Sequence, residues 1–184
     1  YELFSKYGKK IAKKIQLYHL NNIGKSRFLK FNYILKNILK QKPSKKKIKM
    51  LSNQFDKITI KKIIKLKTVP HLLTFLKNNN NELIYHISTG TPQDLIIKIL
   101  KEKNLYSYFE KICGSPSPKI NHIKEIKKNR KKTLFIGDSY EDYLSCKKTK
   151  TPFILREHNE NKKIFKNKKF LKIKNFKNFK KFIK

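Results

Sequence analysis

The stretch LFIGDSYEDYL, residues 134–144, decides the fold, because an apolar run stops at a glycine and is followed by three acids. Asp138, Glu141 and Asp142 are three of only 12 acidic residues, in a chain with 47 lysines and arginines. The apolar run predicts a buried strand, and the residues after it predict a helix. Asp138 and Asp142 are one helical turn apart, so both can face the point where the strand ends.

Two interpretations of this acid pair remain open from the residues alone. Converging carboxylates repel each other unless a cation lies between them, and hard oxygen ligands suit Mg²⁺, so Asp138 and Asp142 are candidate metal ligands. Alternatively, Asp138 or Ser139 caps the helix, and the acids are favoured by the positive end of its dipole.

Predicted strands and helices alternate on both sides of this stretch. In chain order they are LLTFLK (helix), LIYHIS (strand), QDLIIKILKEKNL (helix), FEKIC (strand), KINHIKEIKKN (helix), KTLFIG (strand), YEDYLSCKKT (helix) and TPFILRE (strand). This alternation predicts an α/β fold with a doubly wound parallel sheet that helices cover on both faces. Ligands of such sheets bind at the carboxyl ends of the strands.

Two further polar motifs follow strands of this predicted sheet. STGTP brings Ser88, Thr89 and Gly90 to the start of a helix, where backbone N–H groups attract phosphate. The alternative is an ordinary helix start, with Thr91 as the cap and Pro92 as the first helical residue. GSPSPK places Lys119 in a loop, although one lysine among 44 is a weak signal by itself.

The first third of the chain has a different character. Residues 1–66 read as helices broken at NNIGKS, where Gly24 is the flexible point, and near Pro43. One predicted helix groups Phe4, Ile11, Ile15 and Leu20 on its apolar face. We therefore expect a helical domain at 1–66 and an α/β domain at 67–184, in which the Lys-rich segment 159–184 adds a short strand and a helix.

Charge and cysteine content suggest the setting of the protein. The net charge of +35 is compatible with a non-enzymatic protein that binds nucleic acid or another polyanion. Only three of the basic residues are arginine, the preferred phosphate and base reader, so a solvated lysine surface without a specific nucleic-acid site is favoured. Cys113 and Cys146 form no CxxC pair, which suits a reducing, cytoplasmic compartment. No run of ~20 apolar residues predicts a membrane span.

Taken in order, the strand-end threonine, the loop lysine and the acid pair resemble motifs two, three and four of the haloacid dehalogenase superfamily. The resemblance runs from Tyr1 to about His158. Within the superfamily, the chain is similar to phosphoglycolate phosphatases with a helical cap. It implies a Mg²⁺-dependent phosphatase that acts on a small phosphorylated metabolite through an aspartyl-phosphate. Thr89 (with Ser88 as the alternative) and Gly90 would bind the phosphoryl group, Lys119 would neutralise its charge, and Asp138 and Asp142 would hold Mg²⁺.

In this family the cap is inserted after the first motif and selects the substrate. The segment NNIGKSRFLKF resembles the part of the cap that carries a glycine and a basic residue towards the active site. Arg27 and Lys30 are therefore candidates for binding a substrate anion, and a surface salt bridge is the alternative for Arg27. The residues do not distinguish phosphatase from phosphomutase, and they do not reveal the oligomeric state.

The family's first motif, Asp-x-Asp, which supplies the nucleophile, occurs nowhere in the sequence. We expect that a strand and loop preceding Tyr1 have been lost, the alternative being a relative that kept the fold without catalysis. Without this central strand, LIYHIS and KTLFIG must pair directly, pair poorly or leave backbone groups unsatisfied. We further expect reduced stability and no phosphatase activity from the chain alone.

Overall fold

The computed structural model describes residues 1–79, 81–130 and 132–183, and every element within residues 1–65 is a helix or a helical turn. The elements are a 3₁₀ helix (Glu2–Tyr7), α1 (Lys9–Asn21), α2 (Arg27–Tyr33), a π-helical turn (Ile34–Ile38) and α3 (Lys45–Lys65). The single helix predicted over residues 4–20 is interrupted at Gly8, whose φ of 87° lies in the left-handed region that glycine adopts readily.

These helices enclose an apolar core of their own, made of Phe4, Ala12, Ile15, Phe31, Ile34, Leu35 and Leu51. Leu20, which the sequence placed on the same apolar face, is instead 44% exposed. Leu20 lies five residues beyond Ile15, outside the three- and four-residue spacing that keeps side chains on one face of a helix.

Strands and helices alternate in the remainder of the chain, as predicted. The helices are α4 (Leu72–Asn79), α5 (Gln93–Glu102), α6 (Lys119–Lys128) and α7 (Tyr140–Lys148), with 3₁₀ turns at Tyr106–Tyr108 and Phe179–Phe182. The strands are β1 (Tyr85–Pro92), β2 (Phe109–Ser115), β3 (Phe135–Gly137), β4 (Phe153–Arg156) and β5 (Leu171–Ile173). The loop predicted at 78–82 includes Asn80, which lies outside the described residues.

All strand pairs are parallel, and helices cover both faces of β1. Tyr85 and Ile87 pack with Leu76 of α4 and Leu100 of α5, whereas Ser88, the residue after Ile87, contacts His122 of α6 on the opposite face. Successive residues of a strand point to opposite faces, so β1 is covered on both sides. The predicted α/β fold with a doubly wound parallel sheet is confirmed.

The strands form two hydrogen-bonded sheets rather than one. One has the order β1-β2 and the other β3-β4-β5, so each of β1 and β3 has a single hydrogen-bonded neighbour among the described residues. Side chains bridge the two sheets, because Tyr85 of β1 and Ile136 of β3 pack on one apolar cluster that includes Phe75 and Ile154. Of the three outcomes expected for LIYHIS and KTLFIG, direct pairing is absent from the described part of the chain.

The predicted helices QDLIIKILKEKNL and KINHIKEIKKN begin where α5 and α6 do, but two details near these starts are wrong. The strand continues through STGTP, so that Pro92, not Thr91, caps α5. The Gln93 side chain fixes this start on β2: its amide donates to the carbonyl of Ile112 (2.8 Å) and its oxygen accepts from Gly114 N–H (2.5 Å). Lys119, predicted in a loop, is the first residue of α6.

The helices are too short or too polar to cross a membrane, as far as the described residues go.

Candidate active site

The acidic stretch that follows β3 starts α7 with a reciprocal cap. The hydroxyl of Ser139 accepts a hydrogen bond from Asp142 N–H (3.1 Å), and Asp142 Oδ2 accepts from Ser139 N–H (3.0 Å) and its hydroxyl (2.6 Å). This capping box satisfies N–H groups that the first turn of a helix leaves unpaired. The helix-cap interpretation is therefore correct for Ser139, and Asp142 serves as its partner.

Asp142 also receives a charge from the neighbouring helix. Its Oδ1 forms a buried ion pair with the ammonium of Lys119, the first residue of α6. Both oxygens of Asp142 thus have partners, Lys119 on one side and Ser139 on the other. The pair joins the loops that follow β2 and β3 at the carboxyl ends of the strands.

Asp138 presents the more exposed carboxylate of the acid pair. Its side chain is half exposed, and the nearest ionisable partner is His158, whose Nε2 lies 3.7 Å from Oδ2. Burial, followed by the charge of Asp142, raises the pKa of Asp138. A raised carboxyl pKa means that the anion lacks enough compensating positive charge, which is the condition that a bound cation relieves.

These donors fit a magnesium ion that keeps several water ligands. Asp138 can bind directly, whereas Asp142, already held by Lys119 and Ser139, is placed to act through a water or through Asp138. Among the described residues, no group of three or more His, Cys, Asp or Glu could hold a metal ion. The arrangement therefore suits an open site with few protein ligands rather than a closed structural one.

The two hydroxyl groups at the end of β1 point to different partners. Thr89 Oγ1 accepts from Thr91 N–H at 3.2 Å, whereas Ser88 Oγ lies 2.9 Å from Nδ1 of the buried His122 on α6. Ser88 is thus engaged by α6, whereas the hydroxyl of Thr89 contacts only Thr91 of its own strand among the described residues.

The turn after α1 brings the motifs of β1 and α7 together. A Cβ on Gly24, whose φ is 87°, would overlap the hydroxyl oxygen of Ser139. A Cβ on Gly90 would lie 3.0 Å from the Gly24 carbonyl oxygen and 3.1 Å from that of Lys25. Gly90 and Ser139 therefore both pack on this one turn, and glycine is needed at position 24 for space and for conformation.

The two candidate residues of the helical segment have different surroundings. Arg27 is buried in an ion pair with Asp56, donates to Ser52 Oγ at 3.3 Å, and lies 4.7 Å from the ring centre of Phe55. Its guanidinium is thus engaged within the helices.

Lys30 is also buried. Burial, then the charges of Arg27 and Lys119, lowers its pKa to about 8. Lys30 and Lys119 are therefore close enough to repel each other, and an anion between them would be stabilised.

Asn161 holds the acid loop in place and was not found from the sequence. Its amide donates to the carbonyls of Asp138 and Arg156 (both 2.9 Å), and its oxygen accepts from His158 N–H at 2.9 Å. The side chain is buried, and all of these bonds fix backbone. One asparagine in a Lys- and Asn-rich tail gives no local signal of this role.

Family comparison agrees with this geometry. The profile described as haloacid dehalogenase-like hydrolase matches residues 2–156, most of the chain. The chain belongs to the haloacid dehalogenase-like hydrolase family. None of the curated protein sequences is significantly similar to it.

Solved structures show the same fold at low sequence identity. A predicted phosphoglycolate phosphatase from Haemophilus somnus is 16% identical with a TM-score of 0.70, over 95% of this chain and 88% of that one. A haloacid dehalogenase-like family hydrolase from Streptococcus pneumoniae is 15% identical with a TM-score of 0.66, over 98% and 86%. The hydrolase YfnB from Bacillus subtilis, described as bound to magnesium, is 13% identical with a TM-score of 0.61, over 99% and 82%. At these identities the likeness establishes the fold.

Proposed function

We propose that the chain is the substrate-binding and charge-stabilising part of a Mg²⁺-dependent phosphomonoesterase that acts on a small phosphorylated metabolite. The supporting observation is the buried ion pair between Lys119 and Asp142, because it places an ammonium beside an acid pair at the strand ends. Phosphoryl transfer needs positioning and charge stabilisation more than any other contribution from the protein.

The phosphoryl group binds between the end of β1 and the start of α6. The hydroxyl of Thr89 and the N–H of Gly90 donate to its oxygens, and Lys119 neutralises their charge. Ser88 supports the end of the strand through His122. Lys119 is already desolvated, so its charge acts on a bound anion with little screening by water.

Magnesium is held by Asp138, with Asp142 in support. When bound, the ion withdraws charge from the phosphoryl oxygens. The half-exposed carboxylate of Asp138, whose partner is the imidazole of His158 at 3.7 Å, and its raised pKa support this assignment.

Residues 1–66 form the cap, and Lys30 is its residue directed at the substrate anion. The ammonium of Lys30 has no hydrogen-bond or ion-pair partner among the described residues, and this, together with its repulsion from Lys119, supports the role. Arg27, the other candidate, contributes to the anion site by its charge, while its hydrogen bonds hold α2 on α3.

The nucleophile is supplied by residues outside the sequence given, because no Asp-x-Asp occurs in it. A parallel strand between β1 and β3 would pair both of their open edges and bring such a motif to the strand ends. The chain as it stands then binds phosphate without turning over an ester. Two free buried cysteines favour the cytoplasm as its location.

Phosphate binding by the chain itself is the direct test. Titration calorimetry with inorganic phosphate, at 5 mM Mg²⁺ and 150 mM salt (conditions at which the Debye length is about 8 Å), should show one site. Lys119→Met should remove it, whereas Lys124→Met, an exposed lysine of the same helix, should not. If both variants lost phosphate affinity equally and the loss depended on salt, the alternative function would be favoured, a protein that binds polyanions through its net charge of +35.

Activity is tested in a second experiment. The chain alone should not hydrolyse an aryl phosphate, and the chain extended by an N-terminal strand with Asp-x-Asp should do so only with Mg²⁺. In the extended protein, Asp138→Asn should abolish turnover. An unaffected rate in that variant would end the assignment.

A further inference from the structure

A second concave site adjoins Asp138. It is a cavity of about 330 Å³ between the end of α1 and the loop after β4. Its walls include Asn21 and Ile23 from the helical segment, and His158, Glu160 and Ile164 from the loop. Ligand pockets range upwards from about 300 Å³, so this cavity has room for only a small group.

The charge of the cavity wall differs from that of the rest of the protein. Lysine and arginine make up 47 of the 184 residues, yet neither occurs among the nine residues that line it. The wall does contain Asp138 and Glu160, two of the 12 acids. Arg156 is near enough to lower the pKa of Asp138 but does not line the cavity.

The phosphate end of the site has the opposite charge. Lys119 and Lys30 lie there, both buried, and their charges affect each other. Asp138 lies between the two ends, because it lines the cavity and its backbone N–H donates to Oδ2 of Asp142 (3.3 Å), the residue paired with Lys119. With Asp138 occupied by a metal, Glu160 remains as the carboxylate available to a ligand in the cavity.

We propose that the cavity holds the organic part of the substrate and that this part carries an ammonium group. The inference rests on the proposed function and specifies its substrate class, a phosphomonoester of a small amino alcohol. The ammonium pairs with Glu160 and the methylene groups pack on Ile23 and Ile164. A substrate with a second anionic group would meet Glu160 without any lining lysine or arginine to compensate.

Three two-carbon phosphates that differ at one end test the proposal: phosphoethanolamine, 2-hydroxyethyl phosphate and 2-phosphoglycolate. Their dissociation constants would be measured by calorimetry with the chain and Mg²⁺ at 150 mM salt. We expect phosphoethanolamine to bind about fivefold more tightly than phosphoglycolate, the ratio that one exposed ion pair of about 1 kcal/mol provides. The net charge of the protein favours phosphoglycolate, so this order cannot arise from long-range attraction.

Matched variants separate the possible results. Glu160→Gln should bring the three constants within about twofold, whereas Glu102→Gln, the same change at an exposed position on α5, should leave the order intact. Equal binding of the three compounds, or tightest binding of phosphoglycolate, would overturn the inference. The proposed function survives that result if Lys119→Met still abolishes binding. If neither the three organic phosphates nor inorganic phosphate bound, both the inference and the proposed function would be overturned.

Discussion

The ammonium of Lys119 donates a hydrogen bond to Oδ1 of Asp142, and this buried contact ties the first residue of α6 to the first turn of α7. The two residues are 23 positions apart in the chain. The contact brings the motifs that follow β2 and β3 together, and its loss should affect stability as well as binding.

Replacing Lys119 by Met should leave the Asp142 carboxylate buried without its cation. Removing one partner of a buried pair costs about 3–5 kcal/mol, so a loss of this size in the free energy of unfolding is expected from urea titration. Lys124→Met, at an exposed site on the same helix, should cost less than about 0.5 kcal/mol.

The double variant Lys119→Met/Asp142→Asn should recover part of the loss, because it removes the unpaired charge while Asn can still accept the cap hydrogen bonds. A single variant no less stable than Lys124→Met would contradict the prediction.

Gly24 controls how closely the helical segment approaches the acid loop. An added Cβ would overlap the Ser139 hydroxyl, and φ is 87°. Gly8 has the same φ of 87° but no atom within 4 Å of an added Cβ, so Gly8→Ala has the backbone cost alone.

We expect Gly24→Ala to lower the free energy of unfolding by about 1–3 kcal/mol more than Gly8→Ala does, the usual cost of overpacking. Both losses would be measured by urea titration. Equal losses in the two variants would show that the turn and Ser139 are not in contact in solution.

Lys30 should make stability depend on pH. Its pKa is lowered from 10.5 to about 8 in the folded protein, so between these values the unfolded chain binds more protons. Stability therefore rises with pH across this window, by on the order of 3 kcal/mol at most. Lys30→Met should lack this rise, which urea titrations at pH 7.5 and 10 would reveal. If the free energy of unfolding changed equally between these pH values in the two proteins, a lowered pKa of Lys30 would be excluded.

Arg27 and Asp56 should couple strongly, because their ion pair is largely buried. A double-mutant cycle with Arg27→Met and Asp56→Asn should give a coupling energy of about 1–3 kcal/mol. Phosphate affinity should change less in Arg27→Met than in Lys30→Met. The reverse order would assign the substrate anion to Arg27.

Features carried by neighbouring residues were predictable from the sequence. The apolar run before Gly137 and the acids after it predicted β3 and α7, because strand burial and helix dipole effects act within a few residues. The capping alternative placed the cap of α5 at Thr91, one residue too early, because the contact that fixes the helix start joins Gln93 to Ile112 on another strand.

Contacts between distant residues could not be predicted in this way. Arg27 and Asp56 are 29 positions apart, and Asn161 binds the carbonyl of Asp138 from 23 positions away. No local pattern distinguishes these residues from the many other polar side chains. Lys119 was singled out among 44 lysines only because its place between two other motifs resembles a family pattern.

The open edges of β1 and β3 should appear in hydrogen exchange. β4 has hydrogen-bonded neighbours on both sides, whereas β1 and β3 have one each among the described residues. Amides of Ile154 and Leu155 should therefore exchange most slowly, and alternate amides of β1 should exchange at least about tenfold faster than these, since water reaches an unpaired edge. The measurement is amide exchange followed by NMR.

The extended protein with the Asp-x-Asp strand provides the control, because pairing of both edges should slow the exposed amides of β1 to the rate of β4. Uniform protection of β1 in the chain alone would show that its edge is already covered, and it would leave no slot for a further strand.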